Sequence, residues 1–287
     1  MRKIFFILTT VILVLTTACC DKEEDNVTKM TMTTAQEGLV SFALGGTGTA
    51  IINWGDGTPD ETVTLTDLTT RYNHTYTSAN ARTITITGDD VTYLHCGHHV
   101  LDTWTIVENQ LTALDVSKNS TLTELYCGNN QLIVLDLSKN PALTKLYCSN
   151  NELRHLNLSK NPALTRLRCR NNQLTTLDVS KNPALTSLDC SNNRLSTLDL
   201  SKNPALTSLD CQNNQLTALD VSKNPVLTGL AITGNLFEAE KNGEGLNPLF
   251  RMLPGTLKSK ILRIEDNPGT AACDPSIAEA KGWVVYR

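Results

Sequence analysis

Hydrophobic residues recur at fixed positions in a 21-residue unit that the chain repeats seven times between residues 101 and 237. The unit is clearest at residues 143–163, which read LTKLYCSNNELRHLNLSKNPA. Five units place cysteine at the same position: Cys127, Cys148, Cys169, Cys190 and Cys211. A fixed period of about 20 to 50 residues indicates a solenoid, because one unit cannot bury its apolar face without stacking on its neighbours.

Alternation within the unit predicts which side chains face the interior, since successive side chains of an extended segment point to opposite sides. Leu125 and Cys127 then point inward on one wall, which we call the cysteine wall. Leu135 and Leu137 point inward on the opposite, back wall, which carries Ser-Lys-Asn. The pattern predicts a flat coil with parallel strands on both walls. Stacking at about 4.8 Å per coil makes seven units roughly 35 Å long.

Asparagine recurs in two columns of the repeat. The first comprises Asn109, Asn130, Asn151, Asn172, Asn193, Asn214 and Asn235, and the second Asn119, Asn140, Asn161, Asn182, Asn203 and Asn224. A backbone that bends away from a strand loses hydrogen-bond partners, and a side-chain amide can replace them. We therefore interpret both columns as structural ladders.

The cysteine column is predicted to be apolar core. Its position continues outward to Ile106 and Ile232, which indicates a compact apolar filler, a role that free cysteine also plays. In-register thiols lie about 4.8 Å apart, whereas a disulfide needs Cβ atoms about 3.8 Å apart, and a straight row cannot surround zinc tetrahedrally. The segment from His95 to His99, His-Cys-Gly-His-His, is the alternative metal candidate. We interpret it as an irregular turn between two domains and expect no metal site.

Residues 28–90 lack the leucine period and are rich in threonine alternation, with strands predicted at 39–44, 50–54, 61–65 and 82–86. Gly45-Gly46 and the segment WGDGTP at residues 54–59 are typical of turns. The spacing predicts a small β-sandwich. Because Ile84, Ile86 and Leu94 already follow the spacing of the repeats, the last strand is expected to double as the first rung of the solenoid.

The segments WGDGT and YNHTYTSANARTITITG resemble a PKD domain, an immunoglobulin-like sandwich. The matching positions are Trp54, Gly55, Asp56, Gly57, His74 and Tyr76. The resemblance implies that the Gly-Asp-Gly turn and the His-x-Tyr segment stabilise the sandwich. We accordingly assign Asp56 and His74 a structural role, the alternative being a metal or catalytic pair.

The C-terminal residues 238–287 form a predicted cap. A helix is expected at 239–253, a strand at 260–264, a second helix that starts after Asp274-Pro275 and reaches Lys281, and a last strand at 283–285. Irregular terminal units shield the apolar end of a solenoid.

The N-terminus reads as a signal peptide, with Arg2 and Lys3 before an apolar run at residues 4–15 and a small-residue site that ends at Ala18. The segment resembles a bacterial lipobox, which implies a signal peptide over residues 1–19 and acylation of Cys19, with Cys20 as the alternative. Residues 20–27 form an acidic tether similar to export signals of surface lipoproteins in some Gram-negative bacteria. The expectation is an outer-membrane lipoprotein at the cell surface; a cleaved secretory signal is the alternative.

Residues 91–287 resemble the bacterial leucine-rich repeat proteins related to internalins, in their cysteine-containing 21-residue form. The fold class is therefore mainly β: a leucine-rich repeat solenoid with parallel strands, preceded by the sandwich (28–90), running over 91–237 and closed by an α/β cap. The resemblance implies protein binding. Because no nucleophile–base pair, phosphate loop or carboxylate pair stands out in the sequence, we expect no enzymatic activity. We expect no cofactor, a monomer, and membrane contact through the lipid anchor alone; the formal net charge of −4 gives no reason for nucleic-acid binding. A carbohydrate-binding accessory lipoprotein is the alternative.

The outward positions of the cysteine wall vary between repeats, whereas those of the back wall hardly do. Variation over a constant core is expected of a scaffold fitted to one partner, and tyrosine and arginine often anchor interfaces. The predicted binding residues are Tyr126, Tyr147, Arg166, Arg168, Arg170, Asp189 and Asp210. Drift at solvated positions is the alternative.

Overall fold

The computed structural model describes residues 28–97, 109–255 and 260–287. The predicted signal peptide with Cys19, the tether with Cys20, and Ile106, His98 and His99 lie outside these ranges. The described residues are mainly β, with fourteen strands and two short helices.

Five antiparallel strands form the N-terminal unit. They are β1 (Thr28–Thr34), β2 (Gly38–Asn53), β3 (Glu61–Thr64), β4 (Thr70–Tyr76) and β5 (Arg82–His95). Strand β2 pairs with β3, β4 and β5, while β5 also pairs with β1. Buried and more exposed residues alternate along β1, whereas residues 40–46 of β2 are all buried. The rings of Phe42 and Trp54 lie 5.2 Å apart in this interior.

The turn predicted at Gly45-Gly46 is wrong. Both glycines lie inside β2, which unites two predicted strands into one, with irregular register after Gly45 and after Thr47. A Cβ on Gly46 would lie 1.9 Å from the carbonyl oxygen of Asp90, so the glycine permits two strands to approach closely. Strands β1 and β4 escaped prediction, although β1 alternates buried and more exposed residues along its whole length.

The cysteine wall is a parallel, in-register sheet. Its rungs are β7 (Glu124–Tyr126), β8 (Lys145–Tyr147), β9 (Arg166–Arg168), β10 (Ser187–Asp189), β11 (Ser208–Asp210) and β12 (Gly229–Ala231), whereas β6 (Ala113–Asp115) belongs to the back wall. One hydrophobic core runs from Met30 in the first strand to Trp283 near the end.

The expectation of strands on both walls is wrong. In the described residues the back wall is a strand only at β6, which pairs antiparallel with β1. Elsewhere the backbone curls within its own coil: Ser138 N–H donates to Asp136 Oδ1 (2.9 Å), and Asn140 N–H donates to the carbonyl of Leu137 (3.1 Å). These amides bond within their own coil, and the proline that follows the asparagine has no amide hydrogen. Few backbone donors therefore remain for hydrogen bonds to the next coil.

The prediction of a shared strand is confirmed, but the repeat spacing that it assigned to Ile84 and Ile86 is wrong, because these two residues pair antiparallel with β1 inside the N-terminal unit. Strand β5 belongs to the antiparallel unit and ends as the first rung of the solenoid, pairing parallel with β7 through Leu94 and Leu125. The predicted boundary between residues 90 and 91 therefore falls inside one continuous strand.

The C-terminal residues add two rungs to the same sheet. These are β13 (Lys260–Arg263) and β14 (Trp283–Tyr286), and the helices are α1 (Leu246–Met252) and α2 (Ser276–Glu279). Both helices are shorter than predicted. Asn242, Gly243 and Gly245 have positive φ angles (53°, 81° and 114°), which stop a helix from starting before Leu246.

Candidate functional site

The cysteine column lies in the core beneath the cysteine wall. The column consists of Cys96, Cys127, Cys148, Cys169, Cys190 and Cys211, and all six are buried free thiols. Burial raises the pKa of Cys148 to about 12, so this thiol is protonated and a poor nucleophile at neutral pH.

Cys96 occupies the position below Cys127 that the 21-residue period gives to Ile106. It follows β5 directly, and its N–H donates to the carbonyl of Tyr126 (2.8 Å). Next to it, a Cβ on Gly97 would lie 1.9 Å from the carbonyl oxygen of Gly128, so the first two coils touch backbone to backbone. Residues 95–97 are thus part of the first rung, not the irregular turn that the sequence indicated.

The first asparagine column joins successive coils as predicted. Asn172 Nδ2 donates to the carbonyls of Cys148 (3.1 Å) and Cys169 (3.0 Å), and its Oδ1 accepts from Leu153 N–H (3.0 Å). Asn267 extends the column into the cap by the same contacts.

A third asparagine column was not identified from the sequence. Its members adopt left-handed backbone conformations, with φ between 51° and 55°: Asn129, Asn150, Asn171, Asn192 and Asn213. Asparagine tolerates this conformation better than most residues. The doubled Asn-Asn after each cysteine was the available signal.

The outward face of the cysteine wall begins with an aromatic cluster. The Tyr126 ring lies 5.2 Å from the rings of Tyr93 and His95 and 4.7 Å from that of Tyr147. Tyr126 O–H donates to Glu124 (2.8 Å), and burial together with this acceptor raises the pKa of Tyr126. Tyr93 and His95 were missed as members because they precede the regular period.

Arginines follow the aromatic cluster on β9 and just beyond it. The guanidinium carbon of Arg168 lies 4.8 Å from the ring centre of Tyr147, a cation–π distance. Tyr147 is only 8% exposed, so its ring mainly supports Arg168. Arg166 is exposed and Arg170 half-buried.

Two carboxylates follow on the next rungs, where Asp189 and Asp210 are direct neighbours in the register of β10 and β11. Asp189 Oδ1 accepts from the Ser191 hydroxyl (2.7 Å), and Asp210 accepts from Gln212 Nε2 (2.9 and 3.0 Å). Burial raises the pKa of the half-buried Asp210, and the hydrogen bonds from Gln212 only partly oppose it.

A groove of about 370 Å³ runs along this outward face. Six of the seven predicted binding residues lie on it: Tyr126, Tyr147, Arg168, Arg170, Asp189 and Asp210. Arg166 is not among the lining residues, whereas Ser187 and Ser208, which were not predicted, are. The groove grades from aromatic through positive to negative.

The back wall carries a regular array instead. Lysines 118, 139, 160, 181, 202 and 223 are all exposed. The wall's aspartates accept from backbone amides; for example, Ser180 N–H donates to Asp178 Oδ1 (2.8 Å), and this bond lowers the pKa of Asp178. Their first role is to hold the turns.

In the N-terminal unit, Asp56 and His74 serve as turn and packing residues. Asp56 accepts from Thr58 (2.7 Å) and from His74 Nε2 (2.7 Å), which together hold the pKa of Asp56 far below its usual range. The His74 ring stacks on Trp54 at 4.8 Å, and Tyr76 O–H donates to the Trp54 carbonyl (2.6 Å).

The fold is a leucine-rich repeat solenoid, mainly β with parallel strands. The family model for leucine-rich repeats in two copies matches residues 162–203 and 183–224. Among proteins with curated descriptions, none matches the sequence. In the described residues, both helices are too short to cross a membrane.

Three solved structures are similar to the chain. The functional domain of InlJ from Listeria monocytogenes, described as including a cysteine ladder, is 35% identical over 58% of this chain and 40% of that chain (TM-score 0.44). A leucine-rich repeat protein from Leptospira interrogans is 20% identical over 60% and 44% (TM-score 0.50), and the internalin InlF of Listeria monocytogenes is 23% identical over 42% and 44% (TM-score 0.36). The chain thus spans less than half the length of each.

Proposed function

We propose that this chain is a non-enzymatic, surface-anchored lipoprotein that binds a protein partner in the groove of the cysteine wall. The observation that carries the proposal is the groove itself, which brings six of the seven predicted binding residues into one concavity over the hydrophobic core. Concave surfaces with a few convergent polar groups are the usual place of ligand binding, and aromatic and arginine side chains commonly supply the affinity.

The chemistry of the described residues favours a binding role over catalysis. The thiols of the cysteine column are buried and protonated. The Asp56–His74 pair is engaged in a turn and in ring stacking, so neither group is disposed toward a substrate. Two hydroxyls at the groove donate to carboxylates, but the Ser191 hydroxyl on Asp189 is buried, and burial raises the pKa of the Tyr126 hydroxyl on Glu124, so neither is arranged as an activated nucleophile.

A carbohydrate partner is the second candidate. Tyrosine rings beside carboxylates and the hydroxyls of Ser187 and Ser208 also suit sugars, which offer an apolar ring face and many hydroxyls. We retain the PKD-like character of the N-terminal unit as part of the proposal, because its Trp-Gly-Asp-Gly turn and His-x-Tyr segment pack together.

Two parallel assays on the soluble fragment, residues 21–287, test the partner class. In the first assay, the fragment is cross-linked to the surface of the native cells and should capture a partner protein. The captured amount should fall when Tyr147 and Arg168 are both replaced by Ala. A glycan array should remain silent. Specific glycan binding that the same double variant abolishes would replace the protein partner with a carbohydrate.

Anchoring by lipid is tested by metabolic labelling with a fatty-acid probe. The wild-type chain should be labelled, and Cys19→Ala with Cys20→Ala should not, because these cysteines follow the small-residue site that ends at Ala18. Cys273→Ala, which removes a buried thiol of the cap, is the control and should keep the label. A labelled double variant would contradict the lipoprotein proposal.

A further inference from the structure

We propose that the partner presents a basic and an acidic side chain side by side: the basic group lies between Asp189 and Asp210, and the acidic group faces Arg170. This inference rests on the proposed protein-binding function and specifies the chemistry that the groove recognises.

The carboxylate pair has Arg170 near enough to influence Asp210, but no cation in ion-pair contact among the described residues. Asp189 and Asp210 sit opposite each other on β10 and β11, at a strand spacing of about 4.8 Å. Their hydrogen-bond donors are the neutral groups of Ser191 and Gln212, and neither carboxylate forms an ion pair within the described part of the chain. The charge of Asp189 contributes to the raised pKa of Asp210, so the two half-buried carboxylates repel each other, and a cation between them relieves the repulsion.

The positive side of the groove complements the carboxylate pair. Arg170 lines the same groove and is close enough to favour the ionised form of Asp210, yet in the described ranges it forms no ion pair. Arg168 is fixed over Tyr147, which leaves Arg170 as the more adjustable guanidinium of the groove.

The sign of the charge changes within one strand spacing, because Arg168 on β9 pairs in register with Asp189 on β10. A partner of one sign would be attracted at one end of the groove and repelled at the other. A partner with both signs, about 5–10 Å apart, meets complementary charge at both ends. That separation corresponds to side chains two or three residues apart in an extended peptide.

Four blocked pentapeptides, displayed at equal density on beads, test this chemistry at 50 mM NaCl. Their central residues are Glu-Gly-Lys, Gln-Gly-Gln, Lys-Gly-Lys and Glu-Gly-Glu. The soluble fragment should bind the Glu-Gly-Lys beads at least fivefold more tightly than the other three, and the preference should shrink at 500 mM NaCl because salt screens charge.

Variants that remove charge from the groove show which residues recognise the Lys and which recognise the Glu of the probe. Asp189→Asn with Asp210→Asn should remove the preference for Glu-Gly-Lys over Glu-Gly-Glu, and Arg170→Gln should remove the preference over Lys-Gly-Lys. Asp199→Asn with Asp220→Asn is the matched control, since it removes the same charge from neighbouring coils of the back wall and should change neither preference.

Equal binding of all four probes, no binding to any, or a preference that the groove variants leave intact would overturn the inference. Capture of a protein that still depends on Tyr147 and Arg168 would show that the proposed function survives that failure. Sedimentation that reveals self-association, dispersed by the Glu-Gly-Lys peptide, would assign the groove to a second copy of the chain and would likewise overturn the inference.

Discussion

At the residue scale, the cysteine of each coil fills a space that isoleucine fills at the C-terminal end of the column. Cys169 is fully buried, and Ile232 is buried at the equivalent position. Burial raises the pKa of Cys169 well above its ordinary value, with its neighbours Cys148 and Cys190 adding to the effect. The thiol therefore acts as a small apolar group.

Substitutions at this position should follow that interpretation. Cys169→Ala should lower the free energy of unfolding by about 1 kcal/mol, because the lost sulfur leaves a small void. Cys169→Asp should cost more than about 4 kcal/mol or prevent folding, since it buries an unpaired charge. Ser208→Ala, on the exposed side of the same wall, should stay within about 0.5 kcal/mol. Chemical denaturation measures all three.

Thiol counting provides an independent check. The described cysteines should react with an alkylating reagent only after denaturation, because all are buried. Rapid alkylation of the native fragment would contradict the assignment of the column to the core.

At the element scale, the hydrogen bonding of the second asparagine column differs between its first member and those of the following coils. Asn119 Oδ1 accepts from the Thr121 hydroxyl (3.1 Å). The equivalent buried oxygens in the following coils, including that of Asn161, have no protein partner in the described residues, and there alanine or valine replaces threonine. Unsatisfied buried oxygens weaken a fold by about 1–3 kcal/mol each.

Ala163→Thr should therefore stabilise the solenoid by about 1 kcal/mol, because it supplies the hydroxyl that Asn161 lacks. Ala163→Val is the matched control, since it has the same shape without the donor. Thermal unfolding should rank Thr above Val; the reverse order would show that the hydroxyl does not reach Asn161.

The turns of the back wall should make stability depend on pH. Amide donors lower the pKa of Asp136, Asp178, Asp199 and Asp220 in the folded chain. A lowered folded-state pKa gives stability that is present above the unfolded value of about 3.9 and is lost as pH falls below it. The unfolding temperature should hence fall between pH 5 and pH 2.

Asn157 shows how to test the origin of that loss, because its Oδ1 accepts from Ser159 N–H (3.0 Å) in place of an aspartate. Asp178→Asn with Asp199→Asn should keep the turns at pH 7 and flatten the acid-induced loss. An unchanged pH profile would assign the loss to other carboxylates, such as Asp56.

Element by element, the repeat period was sufficient to predict the inward positions, the ladders and the parallel sheet. It was insufficient to say which wall forms strands, because both halves of the unit alternate alike. The difference arises from competition between local bonds, such as that of Ser138 with Asp136, and bonds to the next coil. Cys96 was hidden because 31 residues, instead of 21, separate it from Cys127.

For the molecule as a whole, alternation along the strands identified the outward face and six of the thirteen residues that line the groove. It was insufficient to predict that Tyr147 is nearly buried under Arg168, or that Tyr93 and His95 prolong the aromatic cluster from the N-terminal unit. Both depend on packing between side chains of neighbouring coils, which a one-dimensional pattern does not contain.

The two walls of one scaffold thus differ in structure: the back wall is a uniform array of turns, and the cysteine wall carries a graded groove. Once a partner is identified, the dissociation constants of two double variants test this difference most directly. Tyr147→Ala with Arg168→Ala should weaken binding more than tenfold, about 1.4 kcal/mol or more. Lys139→Ala with Lys160→Ala, on the back wall, should leave the constant within about twofold. Weaker binding by the lysine variant, with the groove variant unaffected, would contradict the assignment of the binding face.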